Sequence, residues 1–283
     1  MTLIYVFPGQ GSQKKGMGSA LFDRFPEHVE QADRILGYSI RKLCLDNPND
    51  KLSQTQYTQP SLFVVNALTY LQRTAETGRQ PDYAAGHSLG EYNALFAAGV
   101  FSFEQGIRLV KMRGELMSQA RGGAMAAVIG LEEEAIQRAL SNAGLTGVDL
   151  SNFNSPVQIT ISGPKEEIER AIDVLKNAGS RLVIPLNVSA AFHSRYMRDA
   201  ERAFSTFLEQ FDFSPPQIRV LSNYRAQPYE FEQIHENLTK QIARPVRWTE
   251  TIQYLLKKPT PTFEEIGPGH VLTRLIDQIS HSL

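Results

Sequence analysis

A serine stands between two glycines in the segment Gly86-His87-Ser88-Leu89-Gly90. The residues before this segment are strand-like and those after it are helix-like, so the pattern predicts a nucleophile elbow, a sharp turn that exposes the serine hydroxyl. Small residues are needed on both sides because the turn brings strand and helix backbone close together. An ordinary serine that caps a helix is the alternative interpretation of Ser88.

A serine hydroxyl needs a base to remove its proton, and the chain contains six histidines that could serve. His193 is the preferred base, because it lies in the segment SAAFHSRYM. There the chain returns from a small subdomain to a larger domain, and a cleft would form between the two. A histidine at a helix N-terminus, bonded to backbone, is the alternative. His87 adjoins the serine and is expected to pack against the pocket or line it, since adjacent side chains at such a turn point in different directions.

Acyl transfer by a serine also needs hydrogen-bond donors where negative charge develops on the substrate oxygen. The backbone N–H of the residue after the serine, Leu89, supplies one donor in a nucleophile elbow. The glycine-rich loop FPGQGSQKKGMG, after the first strand, can approach a ligand closely and supply another. This loop matches neither the phosphate-binding nor the dinucleotide-binding glycine pattern, which disfavours a nucleotide site.

The elements around these residues predict an α/β fold in two parts. Short buried strands precede both the glycine-rich loop and Ser88, which is typical of a parallel sheet with helices. From Ala124 the order becomes β-α-β-β-α-β, the pattern of a ferredoxin-like α+β unit. We therefore predict a larger α/β-hydrolase-like catalytic domain from residues 1–123 and 190–283, with a parallel sheet and nucleophile elbow, and an inserted small ferredoxin-like subdomain at 124–189.

The composition predicts a globular protein of the reducing cytoplasm. The 283 residues are 42% hydrophobic, and 29 Lys and Arg balance 30 Asp and Glu, so no charge excess indicates nucleic acid or an anionic membrane as a partner. The single cysteine, Cys44, cannot form an internal disulfide, and no Cys/His cluster has zinc-ligand spacing. No signal peptide or membrane-spanning segment is expected.

Seven motifs occur in a fixed order along almost the whole chain: FPGQGSQ, GHSLGEYNAL, VKMRGEL, NFNSPVQITISG, AAFHS, RPVRWTETI and EIGPGHVLTRL. In these motifs the sequence resembles the malonyl-CoA:acyl carrier protein transacylase family. The resemblance implies that Ser88 attacks the thioester of malonyl-CoA and that His193 acts as base and then acid. It also implies that the backbone N–H groups of Gln10 and Leu89 form an oxyanion hole. The malonyl group would pass to the phosphopantetheine thiol of an acyl carrier protein, with no metal and no bound cofactor.

The same resemblance assigns two further roles. The backbone carbonyl of Arg247 would orient His193, in place of the acidic side chain of a triad. Arg113 in VKMRGEL would grip the malonyl carboxylate, a task that suits a planar guanidinium. Taken from the residues alone, Arg113 is more typical of a solvated helix arginine.

Donor and pathway are predicted from the residues beside the proposed base. Polyketide-type members of the family that prefer malonyl carry His-Ala-Phe-His, and this chain has Ala190-Ala191-Phe192-His193. Phe192, together with Leu89, therefore implies a malonyl preference, whereas fatty-acid-synthesis members commonly carry serine at the Phe192 position. We predict a discrete, trans-acting acyltransferase of a modular polyketide synthase. Fatty acid synthesis is the second choice, and an acyl-thioester hydrolase and a noncatalytic module that binds carrier proteins are more distant alternatives.

Two predictions concern contacts beyond the reacting groups. Asn154 in NFNSP could face the cleft and bind substrate. Acyl carrier proteins are generally acidic, so a locally basic surface is expected on this chain although its net charge is close to zero. The protein is expected to be a monomer. The residues assigned to that surface all flank catalytic motifs: Lys14, Lys15, Arg195, Arg198 and Arg244. The alternative is that these charges are scattered and simply solvated.

Overall fold

The computed structural model describes residues 1–282. Within them the strands are β1 (Thr2–Phe7), β2 (Tyr83–Gly86), β3 (Gly123–Ile129), β4 (Asp149–Ser155), β5 (Gln158–Pro164), β6 (Leu182–Pro185), β7 (Arg219–Leu221) and β8 (Pro261–Glu265). The α-helices of the same residues are α1 (Ser19–Arg24), α2 (Pro26–Leu36), α3 (Ile40–Asp46), α4 (Thr55–Thr77), α5 (Gly90–Ala97), α6 (Phe103–Gln119), α7 (Glu133–Asn142), α8 (Lys165–Asn177), α9 (Arg198–Leu208), α10 (Ile234–Gln241), α11 (Trp248–Leu256) and α12 (Val271–Ser280).

Four strands form a parallel sheet in the order β7-β2-β1-β8. Strand β1 is central, and its side chains alternate between two hydrophobic clusters, with Tyr5 and Phe7 on one face and Ile4 and Val6 on the other. Helices cover both faces, as expected for a parallel sheet. Phe7 pairs with Gly86, so the loop after β1 and the turn after β2 leave the sheet side by side at its carboxyl edge.

Four other strands form an antiparallel sheet in the order β4-β5-β3-β6. Helices α7 and α8 pack with this sheet around a separate hydrophobic cluster. The chain order β3-α7-β4-β5-α8-β6 is the predicted β-α-β-β-α-β pattern, and the strand order is that of a ferredoxin-like unit. The interval 124–189 predicted for this subdomain contains all of these elements except Gly123, where β3 begins.

The two sheets are joined at β4. Val246, in the loop before α11, exchanges backbone hydrogen bonds with β4: its N–H donates to the Ser151 carbonyl at 2.9 Å, and its carbonyl accepts from the Phe153 N–H at 2.9 Å. Helices α11 and α12 also pack against β4. This contact fixes the small sheet beside the carboxyl edge of the parallel sheet and leaves a cleft between them.

Helices α4 and α6 cross closely because α6 contains glycine at the contact. A Cβ atom on Gly106 would lie 2.2 Å from Cζ of Phe63, and one on Gly114 would lie 3.1 Å from Cα of Gln56. The close approach brings Arg113 of α6 against Gln59 of α4. None of the helices within residues 1–282 is long and apolar enough to cross a membrane.

Candidate active site

Ser88 lies in the sharp turn between β2 and α5, with a left-handed φ of 52° that is unusual for a residue with a side chain. A Cβ atom on Gly86 would stand 1.9 Å from the carbonyl carbon of Gly90, and one on Gly90 would stand 2.0 Å from the carbonyl oxygen of Phe7. Only glycine fits both positions. The geometry is that of the predicted nucleophile elbow, and Ser88 is not an ordinary capping serine, since its side chain bonds to no helix N–H group within residues 1–282.

Asn223 holds this turn in place, a role that no sequence motif indicated. Its Oδ1 accepts a hydrogen bond from the Ser88 N–H at 2.7 Å, and its Nδ2 donates to the Gly86 carbonyl at 2.7 Å. Asn223 follows β7, which neighbours β2 in the sheet. The available signal was its position just beyond a buried strand, where side chains reach the carboxyl edge of a parallel sheet.

His193 is the base that the fold brings to Ser88. The distance between Ser88 Oγ and His193 Nε2 is 2.7 Å, and His193 Nδ1 lies 2.8 Å from the backbone carbonyl of Gln241. A carbonyl can only accept, so Nδ1 carries the proton and Nε2 presents its lone pair to the serine hydroxyl. The sequence prediction that pairs Ser88 with His193 agrees with this geometry.

The prediction that the Arg247 carbonyl orients His193 is wrong, because that role belongs to Gln241. Arg247 caps helix α11, and its carbonyl accepts from the backbone N–H and the hydroxyl of Thr251. Gln241 is the last residue of α10, where a carbonyl has no partner inside the helix and is free for a side chain. The resemblance therefore identified the correct kind of group but placed it six residues too late.

Burial and a neighbouring cation keep His193 neutral. Desolvation is the larger cause and the positive charge of Arg113 the second, and together they lower the pKa of His193 to about 3. The hydrogen bond to the Gln241 carbonyl opposes this shift, because it favours the protonated ring. At neutral pH the ring is therefore a neutral acceptor at Nε2.

Arg113 is a buried part of the site and not a solvated helix residue, with only 1% of its surface exposed. Its Nη2 donates to Ser88 Oγ at 3.2 Å and to Oε1 of Gln241 at 2.9 Å. Its Nη1 donates to Oε1 of Gln59 at 2.7 Å, and the guanidinium carbon lies 5.4 Å from the centre of the Tyr92 ring. The arrangement holds a positive charge against the nucleophile.

The loop after β1 reaches the elbow, as the oxyanion-hole prediction requires. A Cβ atom on Gly9 would lie 2.3 Å from the His87 carbonyl oxygen, so this loop packs directly on the turn. The backbone N–H groups of Gln10 and Leu89 donate to no acceptor within residues 1–282. Both groups therefore remain available to a ligand beside Ser88.

A cleft of about 280 Å³ opens above Ser88 and His193 between the two sheets. Phe192 and Asn154 line it, as does His87, whose Nε2 lies 2.8 Å from Oδ1 of Asn154. The His87 ring also packs edge-on against Trp248, and burial lowers its pKa. The positions predicted for Phe192, His87 and Asn154 thus converge on one cavity.

Gln241 and Glu91 form a buried polar network behind the reacting groups, and neither residue was among those predicted from the sequence. The Gln241 Nε2 donates to the Ser88 carbonyl at 2.8 Å and to Oε2 of Glu91. Glu91 Oε1 accepts from the Asn223 N–H and from the hydroxyl of Tyr229. Burial raises the pKa of Glu91 to about 7, although these hydrogen bonds oppose the shift. The glutamate within GHSLGEY was the visible signal.

The predicted basic residues divide into two groups. Arg195, Arg198 and Arg244 line a second depression of about 530 Å³ that also reaches His193. Arg195 pairs with Asp149, whereas Arg198 and Arg244 form no ion pair within the described chain. Lys14 and Lys15 are exposed in the loop after β1 and do not line this depression. No three His, Cys, Asp or Glu side chains of residues 1–282 are grouped so as to hold a metal ion.

Comparison with known proteins identifies the family. Residues 4–282 match the acyl transferase domain. The chain belongs to this family. Among curated acyl transferases, it is 56% identical to the polyketide biosynthesis malonyl CoA-acyl carrier protein transacylase PksC of Bacillus subtilis, over 98% of this chain and 96% of that protein. It is 38% identical to the malonyl CoA-acyl carrier protein transacylase of Escherichia coli strain K12, over 99% of this chain and 93% of that protein.

Solved acyl transferase structures share the whole fold. A malonyl CoA-acyl carrier protein transacylase from Burkholderia pseudomallei is 51% identical, with a TM-score of 0.98 over 100% of this chain and 99% of that one. A malonyl-transacylase in complex with its type II polyketide synthase acyl carrier protein is 40% identical, with a TM-score of 0.95 over 100% of this chain and 94% of that one. The parallel sheet with its separate antiparallel sheet is therefore the fold of this family.

The low pKa of His193 predicts how the reactivity of Ser88 depends on pH in this acyl transferase. A group whose pKa is lowered stays neutral down to that lower value, so His193 remains a base throughout the range above about pH 3. We expect a fluorophosphonate probe to label Ser88 at about pH 5.5 within about two-fold of its rate at about pH 7.5, whereas a histidine of ordinary pKa would give a loss of roughly ten-fold.

The rate of labelling is measured by intact-mass spectrometry, with Ser88→Ala as the variant that must remain unlabelled. A fall in rate centred near pH 6.5, the ordinary value for histidine, that persists in Glu91→Gln would contradict a buried neutral His193, because that variant removes the carboxyl whose pKa is about 7.

Proposed function

We propose that this acyl transferase moves a malonyl group from malonyl-CoA to the phosphopantetheine thiol of an acyl carrier protein, through an ester on Ser88, in polyketide biosynthesis. One observation carries the proposal: a buried arginine, Arg113, lies 3.2 Å from the nucleophile oxygen. A guanidinium held there matches a donor with a carboxylate at the far end of its acyl group. The polyketide assignment is supported by 56% identity to PksC, against 38% to the Escherichia coli relative.

In the first half-reaction, His193 Nε2 takes the proton of Ser88 Oγ as that oxygen attacks the thioester carbonyl of malonyl-CoA. The backbone N–H groups of Gln10 and Leu89 donate to the developing oxyanion. Collapse of the tetrahedral intermediate breaks the carbon–sulfur bond, and the departing CoA thiolate receives the proton from His193. The product is a malonyl ester on Ser88 and free CoA.

In the second half-reaction, His193 takes the proton of the pantetheine thiol, and the thiolate attacks the ester carbonyl. The carbon–oxygen bond to Ser88 breaks, Ser88 Oγ regains the proton from His193, and the malonyl thioester of the carrier protein leaves. No metal ion or redox group takes part in these steps. The Gln241 carbonyl keeps a proton on Nδ1 of His193 throughout, because a carbonyl can only accept, and Nε2 is therefore the atom that exchanges protons.

The charge of Arg113 links donor binding to the strength of the base. Burial is the larger cause of the low pKa of His193, and the charge of Arg113 is the second. A malonyl carboxylate bound to Arg113 would offset that charge, so the pKa of His193 would rise when the correct donor is present. An acetyl donor has no carboxylate and would leave the base weak.

Phe192 and Asn154 complete the donor site. The Phe192 ring lines the cleft beside His193, where its volume opposes a branched acyl group. Asn154 is held by His87 and by Thr160, whose hydroxyl lies 3.3 Å from Asn154 Nδ2. We assign Phe192 to the exclusion of larger extender units and Asn154, with His87, to the wall that the acyl group contacts.

Intact-mass spectrometry tests the proposed function directly. We expect brief incubation with malonyl-CoA to add one malonyl group to the protein, because Ser88 Oγ lies 2.7 Å from its base. Added holo acyl carrier protein should then remove the adduct and gain the same mass. Ser88→Ala should show no adduct. Steady release of CoA without an adduct or a loaded carrier would contradict the transferase and indicate a hydrolase.

Arg113→Ala should separate malonyl from acetyl donors. We expect kcat/KM for Ser88 acylation by malonyl-CoA to fall by about 100-fold or more, since a charge-assisted bidentate contact of about 3 kcal/mol is lost, while acetyl-CoA changes much less. Arg108→Ala, an exposed arginine of the same helix α6, is the matched control. Equal losses on both donors would contradict the carboxylate-binding role.

The carrier protein is proposed to approach through the arginines near His193. Arg198 and Arg244 line a depression that reaches His193 and form no ion pair within the described residues, which suits an acidic partner. Arg195 adds charge to the same rim but is shared with Asp149. Lys14 and Lys15 are exposed in the loop after β1 and do not line this depression, so we assign to them only a contribution to the long-range field.

The double variant Arg198→Glu/Arg244→Glu should slow transfer of malonyl from preformed malonyl-enzyme to the carrier protein by about ten-fold at low salt, because charge reversal at a rim reduces the rate of association. Added salt should reduce the difference in transfer rate between the variant and the unchanged protein, because salt screens the charges. Lys176→Glu, an exposed change on α8, is the control. A transfer rate that responds neither to salt nor to the double variant would exclude this docking surface.

A further inference from the structure

The guanidinium of Arg113 is held entirely by neutral acceptors. Its Nη1 donates to the amide oxygen of Gln59, and its Nη2 donates to the amide oxygen of Gln241 and to Ser88 Oγ. No carboxylate of residues 1–282 forms an ion pair with it, although ion pairs elsewhere in the same chain are common. Glu91 is separated from Arg113 by the Gln241 amide, which donates to Glu91 and accepts from Arg113.

Gln59 contacts the reacting groups only through Arg113. It lies on α4, is 1% exposed, and takes no part in the hydrogen bonds to Ser88 or His193. Its Nε2 faces the Met117 sulfur at 3.5 Å, a weak acceptor. Because Arg113 can only donate, the amide oxygen must face the guanidinium and the nitrogen must face Met117.

The fold makes this contact by a specific close packing of helices. Glycine at position 114 lets α6 approach α4, since a Cβ there would stand 3.2 Å from the Thr55 carbonyl and 3.5 Å from Cβ of Gln59. The two side chains therefore meet with little freedom to rearrange. Whatever charge stands at position 59 acts on Arg113 at hydrogen-bond distance.

The sign of that charge decides what Arg113 can bind. Burial lowers the pKa of Arg113, because an isolated cation is unfavourable away from water. A glutamate at position 59 would form a permanent ion pair and satisfy this charge from within the protein. A neutral amide orients the guanidinium equally well but leaves its charge for an incoming anion.

We propose that Gln59 is a specificity-determining residue: its neutral amide holds Arg113 beside Ser88 while reserving the positive charge for the carboxylate of a dicarboxylic acyl donor. This inference rests on the proposed function, because it concerns the choice between malonyl-CoA and acetyl-CoA at that site. According to this proposal, the preference for malonyl-CoA depends on an uncharged residue at position 59 as well as on Arg113.

The substitution Gln59→Glu tests the proposal, because it preserves the shape of the side chain and adds a negative charge beside Arg113. The readout is the ratio of kcat/KM for Ser88 acylation by malonyl-CoA to that by acetyl-CoA. We expect the ratio to fall by at least about ten-fold, through a higher KM for malonyl-CoA, while acetylation of Ser88 persists. Gln56→Glu is the matched control, because its amide, one turn earlier on α4, bonds to Gln54 and not to Arg113.

Gln59→Met provides the second variant, similar in length and without charge. We expect it to keep the malonyl-to-acetyl ratio within about three-fold, because the charge of Arg113 remains available. If Gln59→Glu fails to fold, as judged by circular dichroism, Gln59→Met still tests the proposal. A ten-fold fall in its malonyl-to-acetyl ratio would overturn the proposal.

The outcomes separate this inference from the proposed function. An unchanged protein that prefers malonyl-CoA, together with a folded Gln59→Glu variant of unaltered ratio, would overturn the role of Gln59 and leave the proposed function intact. An unchanged protein that forms no malonyl ester would overturn the proposed function itself. A ratio that falls equally in Gln56→Glu would overturn the specific role, because added charge anywhere on α4 would then suffice.

Discussion

The side chain and backbone of Gln241 hold the reacting groups in one arrangement. Its carbonyl fixes the tautomer of His193, its amide oxygen accepts from Arg113, and its amide nitrogen donates to the Ser88 carbonyl and to Glu91. Every hydrogen-bonding atom of the side chain and the carbonyl is used. Because the residue closes α10, its carbonyl is free for His193 without the loss of a helix hydrogen bond.

The strained elbow depends on this network as well as on glycine. A left-handed φ at Ser88 is unfavourable for a residue with a side chain, so the surrounding structure must hold it. Asn223 bonds to the backbone on both sides of His87, and the Gln241 amide bonds to the Ser88 carbonyl. The nucleophile is thus fixed by contacts to its own backbone, which leaves its hydroxyl free to react.

The electrostatics of the site follow from the burial of Arg113, which contacts no carboxylate directly within residues 1–282. Burial and then the charge of Arg113 lower the pKa of His193, and the buried Glu91 carboxyl, with its pKa raised to about 7, lies beyond the Gln241 amide. A dry site strengthens each of these interactions. The site therefore combines a weak base with a guanidinium that contacts only neutral acceptors, and an anionic donor bound to Arg113 would strengthen the base and offset the charge.

Sequence patterns alone predicted the nucleophile at Ser88, the two-part fold and several of the residues that line the cleft. These features follow from local rules: glycines around a strand-to-helix turn, apolar alternation along β1, and the β-α-β-β-α-β order between Gly123 and Pro185. The resemblance of ordered motifs added roles for Arg113 and for the backbone donors at Gln10 and Leu89. The solvated interpretation of Arg113 failed because Gly106 and Gly114 permit a close approach to α6 but do not show which element makes it.

The contacts that Gln241 and Asn223 make with residues far away in the chain could not be predicted from the sequence. Gln241 lies 153 residues from Ser88 and 128 from Arg113, and Asn223 lies 135 residues from Ser88, so no spacing along the chain predicts their contacts. The orienting carbonyl could not be chosen between Gln241 and Arg247 from sequence, because that depends on which helix end leaves a carbonyl unpaired. Residue types fix what chemistry is possible, whereas helix ends and the carboxyl edge of the sheet bring the groups within hydrogen-bond distance.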